Sequence, residues 1–369
     1  MEKLSIKKKS TGFHINISDH TIVLALAIFW LILLCTNQAF GKFSIYSTII
    51  KEASIYAVCG VGMTFAIISG DFDLSVASQI ALSSVVFTAI VNKIIPQNPG
   101  LGIILSCLVI IALGMSMGLV NGLLIARMRI PAFITTLAMQ NVYRGLAQLV
   151  NDTPVPIATM GKGYLAFTSG TGEAVKWTVG GSDLFYGKGF AFTKILGLPL
   201  FFYIMVVIVI IGTIILRKTK LGRDILAIGN SKDAARIAGI NVPRTQTVIF
   251  VLVGLFTSLT ALMMTANQGS SNYGVPTGTE FTVISAVVLG GTALVGGKGS
   301  IFNTAVASIF IATIATALTT FGIDNNTHGI FRGFILIFAF SINTIRVFFY
   351  DASVKRRARN KSKEQIEQA

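Results

Sequence analysis

Charge is scarce in this chain. Of its 369 residues, 12% are Asp, Glu, Lys or Arg, against about 25% in an ordinary soluble domain. Cysteines number three and histidines three. Cys35, Cys59 and Cys107 lie inside apolar stretches without metal-ligand spacing, so they read as small packing residues rather than a disulfide framework. His14, His20 and His328 fall outside or at the edges of the apolar segments. No cluster of acids or histidines is available to line a catalytic cleft, which ranks a membrane-bound transferase last among the possible functions. A phosphate-binding loop is missing too. The nearest string, "GGTALVGGKGS" at 290–300, places Thr292 where the first glycine belongs and Gly299 where the magnesium-binding hydroxyl belongs. It reads as a tight glycine-rich reversal, and no nucleotide, metal or cofactor site is visible in the chain.

Apolar residues are abundant instead, at 53%. Runs such as "TIVLALAIFWLILLC" and "LFFYIMVVIVIIGTIIL" approach the ~20 residues that cross a bilayer. The fold class is therefore an all-α polytopic membrane protein. About ten spans are expected, at 21–40, 45–69, 74–93, 101–125, 132–150, 197–216, 246–267, 281–296, 300–322 and 328–349. The net charge of +15 sits in short flanks: "KLSIKKKS" at the start, "ARMR" at 126–129, "RKTKLGRD" at 217–224 and "VKRRARNKSK" at 354–363. That pattern orients spans in a membrane with positive flanks inside, and it excludes nucleic acid as the explanation of the charge. An even number of spans puts both basic termini on the cytoplasmic side. The first apolar run is followed by no small-x-small cleavage site, so it is expected to remain as the first helix.

One permease-like domain spans 1–369, with three hydrophilic regions. An outer insert at 151–196, rich in glycine and turn residues, is expected to form turns and short strands. An inner loop at 217–245 is expected to hold two short helices, "GRDILAIG" and a second starting at Ser231 and stopping at Gly239. A basic cytoplasmic tail covers 351–369. The spans also fall into two groups of four, 45–150 and 246–349, which suggests an inverted repeat of the kind found in transporters. In that scheme "GDFDLS" corresponds to "NYGVPTGTEF".

The most unusual stretch is "SGDFDLSVAS" at 69–78, where Asp71 and Asp73 interrupt apolar sequence. Asp73 can cap the helix that follows by accepting from the amides of Ser75 and Val76, complementing the positive end of its dipole. A discontinuous helix can also expose polar groups beside a solute path. A proton relay is a third reading, weakened because Arg144 and Glu280 are its few other buried candidates. The small residues of the inner loop, Ala234, Ala235, Ala238 and Gly239, offer either a partner-docking surface or an interfacial connector.

Four motifs in order resemble the integral-membrane permeases of ribose-type sugar ABC importers: "ISGDFDLSVASQIAL", "GLVNGLLIARMRIPAFITTLAMQNVYRGLA", "LGRDILAIGNSKDAARIAGINVPRTQ" and "EFTVISAVVLGGTALVGGKGSIFNTAVAS". They cover most of 45–345. The chain departs from the family pattern at Asp71, Phe72 and Ala77. The resemblance implies a bacterial inner-membrane subunit that pairs with a second permease chain, identical or not. It also implies a separate ATPase and an extracytoplasmic solute-binding protein as partners. It places Asp73, Ser75, Asn121 and Thr136 on the substrate pathway, to which Asp71, the extra acid of the interrupted stretch, is added as a candidate from its position beside them. It assigns Gly222, Arg223, Ala227, Gly229, Asp233, Ala235, Arg236 and Gly239 to ATPase coupling. Permeases for nucleosides or branched-chain amino acids belong to the same superfamily, and a stand-alone secondary carrier is the alternative outside it.

Overall fold

The computed structural model describes residues 21–94, 99–156, 175–179, 182–187, 194–274, 278–324, 327–337 and 341. The basic N-terminal stretch, the 351–369 tail, much of the outer insert and most of the last expected span lie outside those residues. Twelve α-helices and one short 3-10 helix, Gln38–Gly41, occur among the described residues. The α-helices are α1 (Thr21–Thr36), α2 (Phe43–Ile68), α3 (Val76–Ile94), α4 (Pro99–Ala126), α5 (Ala132–Val150) and α6 (Leu200–Lys218). There follow α7 (Lys220–Asn230), α8 (Lys232–Ile237), α9 (Val242–Gln268), α10 (Thr279–Leu289), α11 (Ile301–Thr320) and α12 (His328–Ile337).

The protein is thus an all-α polytopic membrane protein. Five helices are long and apolar enough to cross a bilayer: α2, the Ile104–Ala126 portion of α4, α6, α9 and α11. Shorter apolar helices cover Val23–Thr36, Val76–Asn92, Thr279–Leu289 and His328–Ile337. Large apolar side chains face outward on α1 (Leu31), α4 (Ile104, Leu108), α5 (Ile134) and α6 (Val207, Ile210). Such surface is costly in water and suited to lipid tails.

The expected insert contains strands. β1 (Val155–Pro156) pairs with β6 (Ser270–Ser271). β2 (Val175–Val179), β3 (Ser182–Gly187), β4 (Lys194–Ile195) and β5 (Leu198–Pro199) form an antiparallel sheet in that order. One expected span is too long at its end. The run taken as 281–296 stops being helical at Leu289, because Gly290 and Gly291 open a non-helical turn that continues to Ser300.

Packing repeats between the two groups of helices. If α2 to α5 correspond to α9 to α12, then α4 against α9 corresponds to α11 against α2. Likewise α3 against α4 corresponds to α10 against α11, and α3 against α9 to α10 against α2; every one of these contacts is present. The α4–α9 contact is the most extensive. Gly114, Gly118 and Gly122 repeat every four residues along α4 and meet Gly254, Phe250 and Thr247 of α9 backbone to backbone. Small residues permit that approach between membrane helices, where van der Waals contact rather than water exclusion drives association.

Candidate functional site

The break between α2 and α3 organises the site. Gly70 adopts φ +81°, a left-handed conformation that a side chain would strain, and this ends α2. Rather than packing on one another as a hairpin, α2 and α3 both lie against α9. Residues 71–75 therefore fill a largely buried corner, and polar groups from four other elements converge on them.

Asp73 is fully buried. One carboxylate oxygen accepts from the Ser75 amide at 2.8 Å and the Ser75 hydroxyl at 2.5 Å. The other accepts from Gln79 Nε2 at 3.2 Å and from Asn121 Nδ2 of α4 at 3.4 Å. Asn121 also donates to Ser75 Oγ at 2.9 Å, and Tyr143 of α5 donates to Asn121 Oδ1 at 3.0 Å. The expected bond from Ser75 is present. The Val76 amide has no such bond among the described residues; side chains supply the remaining donors. Thr136 of α5 reaches Phe72 O at 3.4 Å while bonding its own helix at Ala132 O, 2.9 Å. Four of the five expected pathway residues, Asp73, Ser75, Asn121 and Thr136, therefore meet at one corner. All four are fully buried in this conformation.

Asp71 points the other way. Its oxygens accept from Lys232 Nζ of α8 at 3.0 Å and from Gln246 Nε2 of α9 at 2.8 Å. The carboxylate is 6% exposed and the Lys232 side chain 41%. The helix break is thus joined by an ion pair to the inner loop. A substitution cycle tests this link. Lys232→Met leaves a buried carboxylate held only by Gln246 and is expected to cost about 1–3 kcal/mol, below the 3–5 of a wholly buried pair because Lys232 is partly solvated. Adding Asp71→Asn removes the orphaned charge, so the double variant is expected to be more stable than Lys232→Met alone in thermal denaturation of the purified chain. Additive losses would show that the pair contributes no coupling.

The inner loop folds as the expected two helices. Thr219 caps α7 by accepting from the Gly222 amide at 3.2 Å, and Ser231 caps α8 by accepting from Ala234 at 3.2 Å. The eight expected coupling residues divide into two sets. Gly222 is buried, and a Cβ there would run into Leu216 O. Gly229 abuts Ile68 O and Gly297 N. Ala235 is buried and Ala227 half-buried against the Ile228–Val242 cluster. These four seat the loop on the bundle. Arg223, Asp233, Arg236 and Gly239 are exposed, Arg236 bonding Asp233 at 3.2 Å. Two apolar side chains not named from the sequence are also strongly exposed: Ile237, next to Arg236 at the end of α8, 89% exposed, and Val295 of the glycine-rich turn, 86% exposed. The turn docks here through the Gly297 amide, which donates to Ile68 O at 2.8 Å. Lys232, Gln246, Gln79 and Tyr143 were also missed. Only Gln79 carried a sequence signal, since it follows Ser75 by one helical turn.

The protein-family model described as branched-chain amino acid transport system / permease component matches residues 45–340. Among curated proteins, the ribose import permease protein RbsC of Escherichia coli (strain K12) is 32% identical over 292 residues, 79% of this chain and 83% of that protein. The L-arabinose transport system permease protein AraH of the same organism is 35% identical over 286 residues, 78% of each chain. The xylose transport system permease protein XylH of Haemophilus influenzae is 29% identical over 375 residues, 92% of this chain and 98% of that protein. No solved structure matches the chain.

Proposed function

Because the chain belongs to the family of permease components of branched-chain amino acid transport systems, matched over residues 45–340, we propose that it is the membrane-spanning subunit of an ATP-driven importer for a monosaccharide of the pentose type. The observation that carries the sugar reading is the similarity, over at least 78% of this chain, to permeases named for ribose, arabinose and xylose. The basic flanks set the orientation: α7, α8 and the glycine-rich turn face the cytoplasm, and both termini lie there in the bacterial inner membrane. A solute-binding protein delivers sugar on the opposite side, and a second permease chain completes the pathway.

A separate ATPase docks on the exposed face of α8, where Asp233, Arg236 and Ile237 project, with Gly239 just beyond the helix end. Seating through Gly222, Gly229 and Ala235 makes α7 and α8 a stiff lever rather than a loose loop. Its motion reaches the interior by two routes, Lys232 to Asp71 and Gly229 to the end of α2. The Asp73 network holds the broken helix in shape, and the pathway opens beside that break as the subunits alternate between inward and outward states.

Replacing Gly229 with Val is expected to separate the loop from Ile68 and abolish sugar uptake at unchanged ATPase binding, measured by co-purification and by transport of labelled pentose. Full transport by that variant would count against the lever. For the function itself, cells carrying the chain with its partners are expected to accumulate ribose, arabinose or xylose, and a deletion strain to lose this. Dependence on the chain for leucine uptake instead would place it with the amino-acid permeases.

A further inference from the structure

At the end of the bundle away from α7 and α8, a cavity of about 350 Å3 opens between the first half of α2, the second half of α11 and α12. Its volume lies within the range of about 300–1,000 Å3 usual for small-molecule sites. The polar lining includes Glu52 and Tyr56 of α2, Thr282 of α10, Thr316 of α11, and His328 and Arg332 of α12, with further threonines around them. These are an unusual set for the flank of a membrane bundle, where ionisable groups are costly and rare. Two of the lining atoms are buried and bond no group among the described residues: His328 Nε2 and Thr316 Oγ1. His328 is only 8% exposed. A buried polar atom without a partner is costly, so a cavity lined by two of them favours a polar occupant.

The chemistry of the lining narrows that occupant. One carboxylate and one guanidinium balance in charge, so the cavity is not built for a net anion or cation. The imidazole, phenol and threonine hydroxyls can donate or accept, as a ligand bearing several hydroxyls requires. Ile314 and Phe331 add apolar surface, which suits the C–H face of a ring. We infer that this cavity is a binding subsite for a neutral polyhydroxylated ring, a monosaccharide, on the side of the membrane from which it is delivered. The inference rests on the importer reading above and adds a place of contact distinct from the Asp73 network. The break between α2 and α3 lies at the other end of α2, so the subsite receives solute before the break is reached.

The test combines transport with site-directed labelling. In the full chain with Cys35 and Cys107 replaced by Ser, Thr316→Cys places a thiol in the cavity. Maleimide labelling of that thiol in native membranes is expected to slow severalfold in millimolar ribose, arabinose or xylose, and to be unaffected by sucrose or leucine. In cells, Glu52→Gln and His328→Ala are expected to lower pentose uptake by roughly tenfold or more, the effect of losing one hydrogen bond to a charged or buried group. Membrane abundance should stay unchanged. Wild-type uptake by both variants, with labelling indifferent to every sugar, would overturn the subsite while leaving the importer reading intact. Labelling slowed by leucine alone would overturn the choice of ligand. Failure of the unaltered chain to support uptake of any of the three sugars would overturn the importer reading and this inference with it.

Discussion

Asp73→Ala is expected to cost about 3–5 kcal/mol and to leave little assembled permease in the membrane. The substitution removes the acceptor of four hydrogen bonds, from the Ser75 amide, Ser75 Oγ, Gln79 and Asn121. Each is buried; Gln79 and Asn121 keep Ser75 Oγ as a second acceptor, but the Ser75 amide and hydroxyl lose theirs outright, at about 1–3 kcal/mol apiece before relaxation. Asp73→Asn is expected to behave differently. One amide oxygen can still accept from Ser75, and the new NH2 group would face Gln79, whose Oε1 has no partner among the described residues. Turning the Gln79 amide over offers that oxygen to the new donor. Thermal unfolding of the purified chains and their abundance in membranes separate the two variants. An Asn variant as damaged as the Ala variant would show that the negative charge itself holds the network; loss of transport by both in stably assembled protein would instead assign the charge a direct role in the pathway.

The second large effect is expected at Gly118. A Cβ at this position would collide with Phe250 O and lie 3.0 Å from Val251 Cα, so even Gly118→Ala must push α4 and α9 apart. Gly254 faces the same constraint from the other side, against Gly114 O. Overpacked side chains can often shift, at a cost of about 1–3 kcal/mol. Backbone on both sides of this contact cannot, so Gly118→Leu is expected to exceed about 3 kcal/mol and to abolish the folded chain. Gly145 on α5 provides the control. Nothing lies within 4 Å of a Cβ built there, so Gly145→Ala is expected to be expressed and folded like the unaltered protein. Fluorescence-detected gel filtration of tagged variants reads both results. A monodisperse Gly118→Leu protein would mean that the two helices are not held at this distance.

The sequence made the helices legible because the signal is length and apolarity, and a bilayer enforces both. The boundary at 281–296 was misread for the same reason. Gly290 to Gly297 is apolar enough to pass for a span, yet its backbone turns at Gly290 and Gly291 and runs back to Ile68. The start and stop of the second inner-loop helix were readable from Ser231 and Gly239 by local chemistry, whereas the Thr219 cap of α7 was not read. The site was only partly readable. Asp73 and Ser75 are neighbours in the chain, whereas Asn121 lies 46 residues beyond Ser75 and entered through family resemblance rather than through spacing. Lys232 and Gln246 could not have been paired with Asp71 from the sequence, since they lie 161 and 175 residues away. The spacing of Gly114, Gly118 and Gly122 announces a close helix contact, but not that α9 is the partner. Asp71 is the most instructive residue. In the sequence it stands beside Asp73 as if the two shared a task, yet alternate directions of the backbone send one to α4 and the other to α8.

The measurement that bears most directly on the central claim is purification of the tagged chain from native membranes in mild detergent, followed by identification of what accompanies it. The account predicts an ATPase subunit with a phosphate-binding loop in stoichiometric yield. It also predicts that a charged replacement of the exposed Ile237, such as Ile237→Glu, removes that subunit while leaving the permease folded. A chain that purifies alone and moves sugar in vesicles without ATP would contradict it.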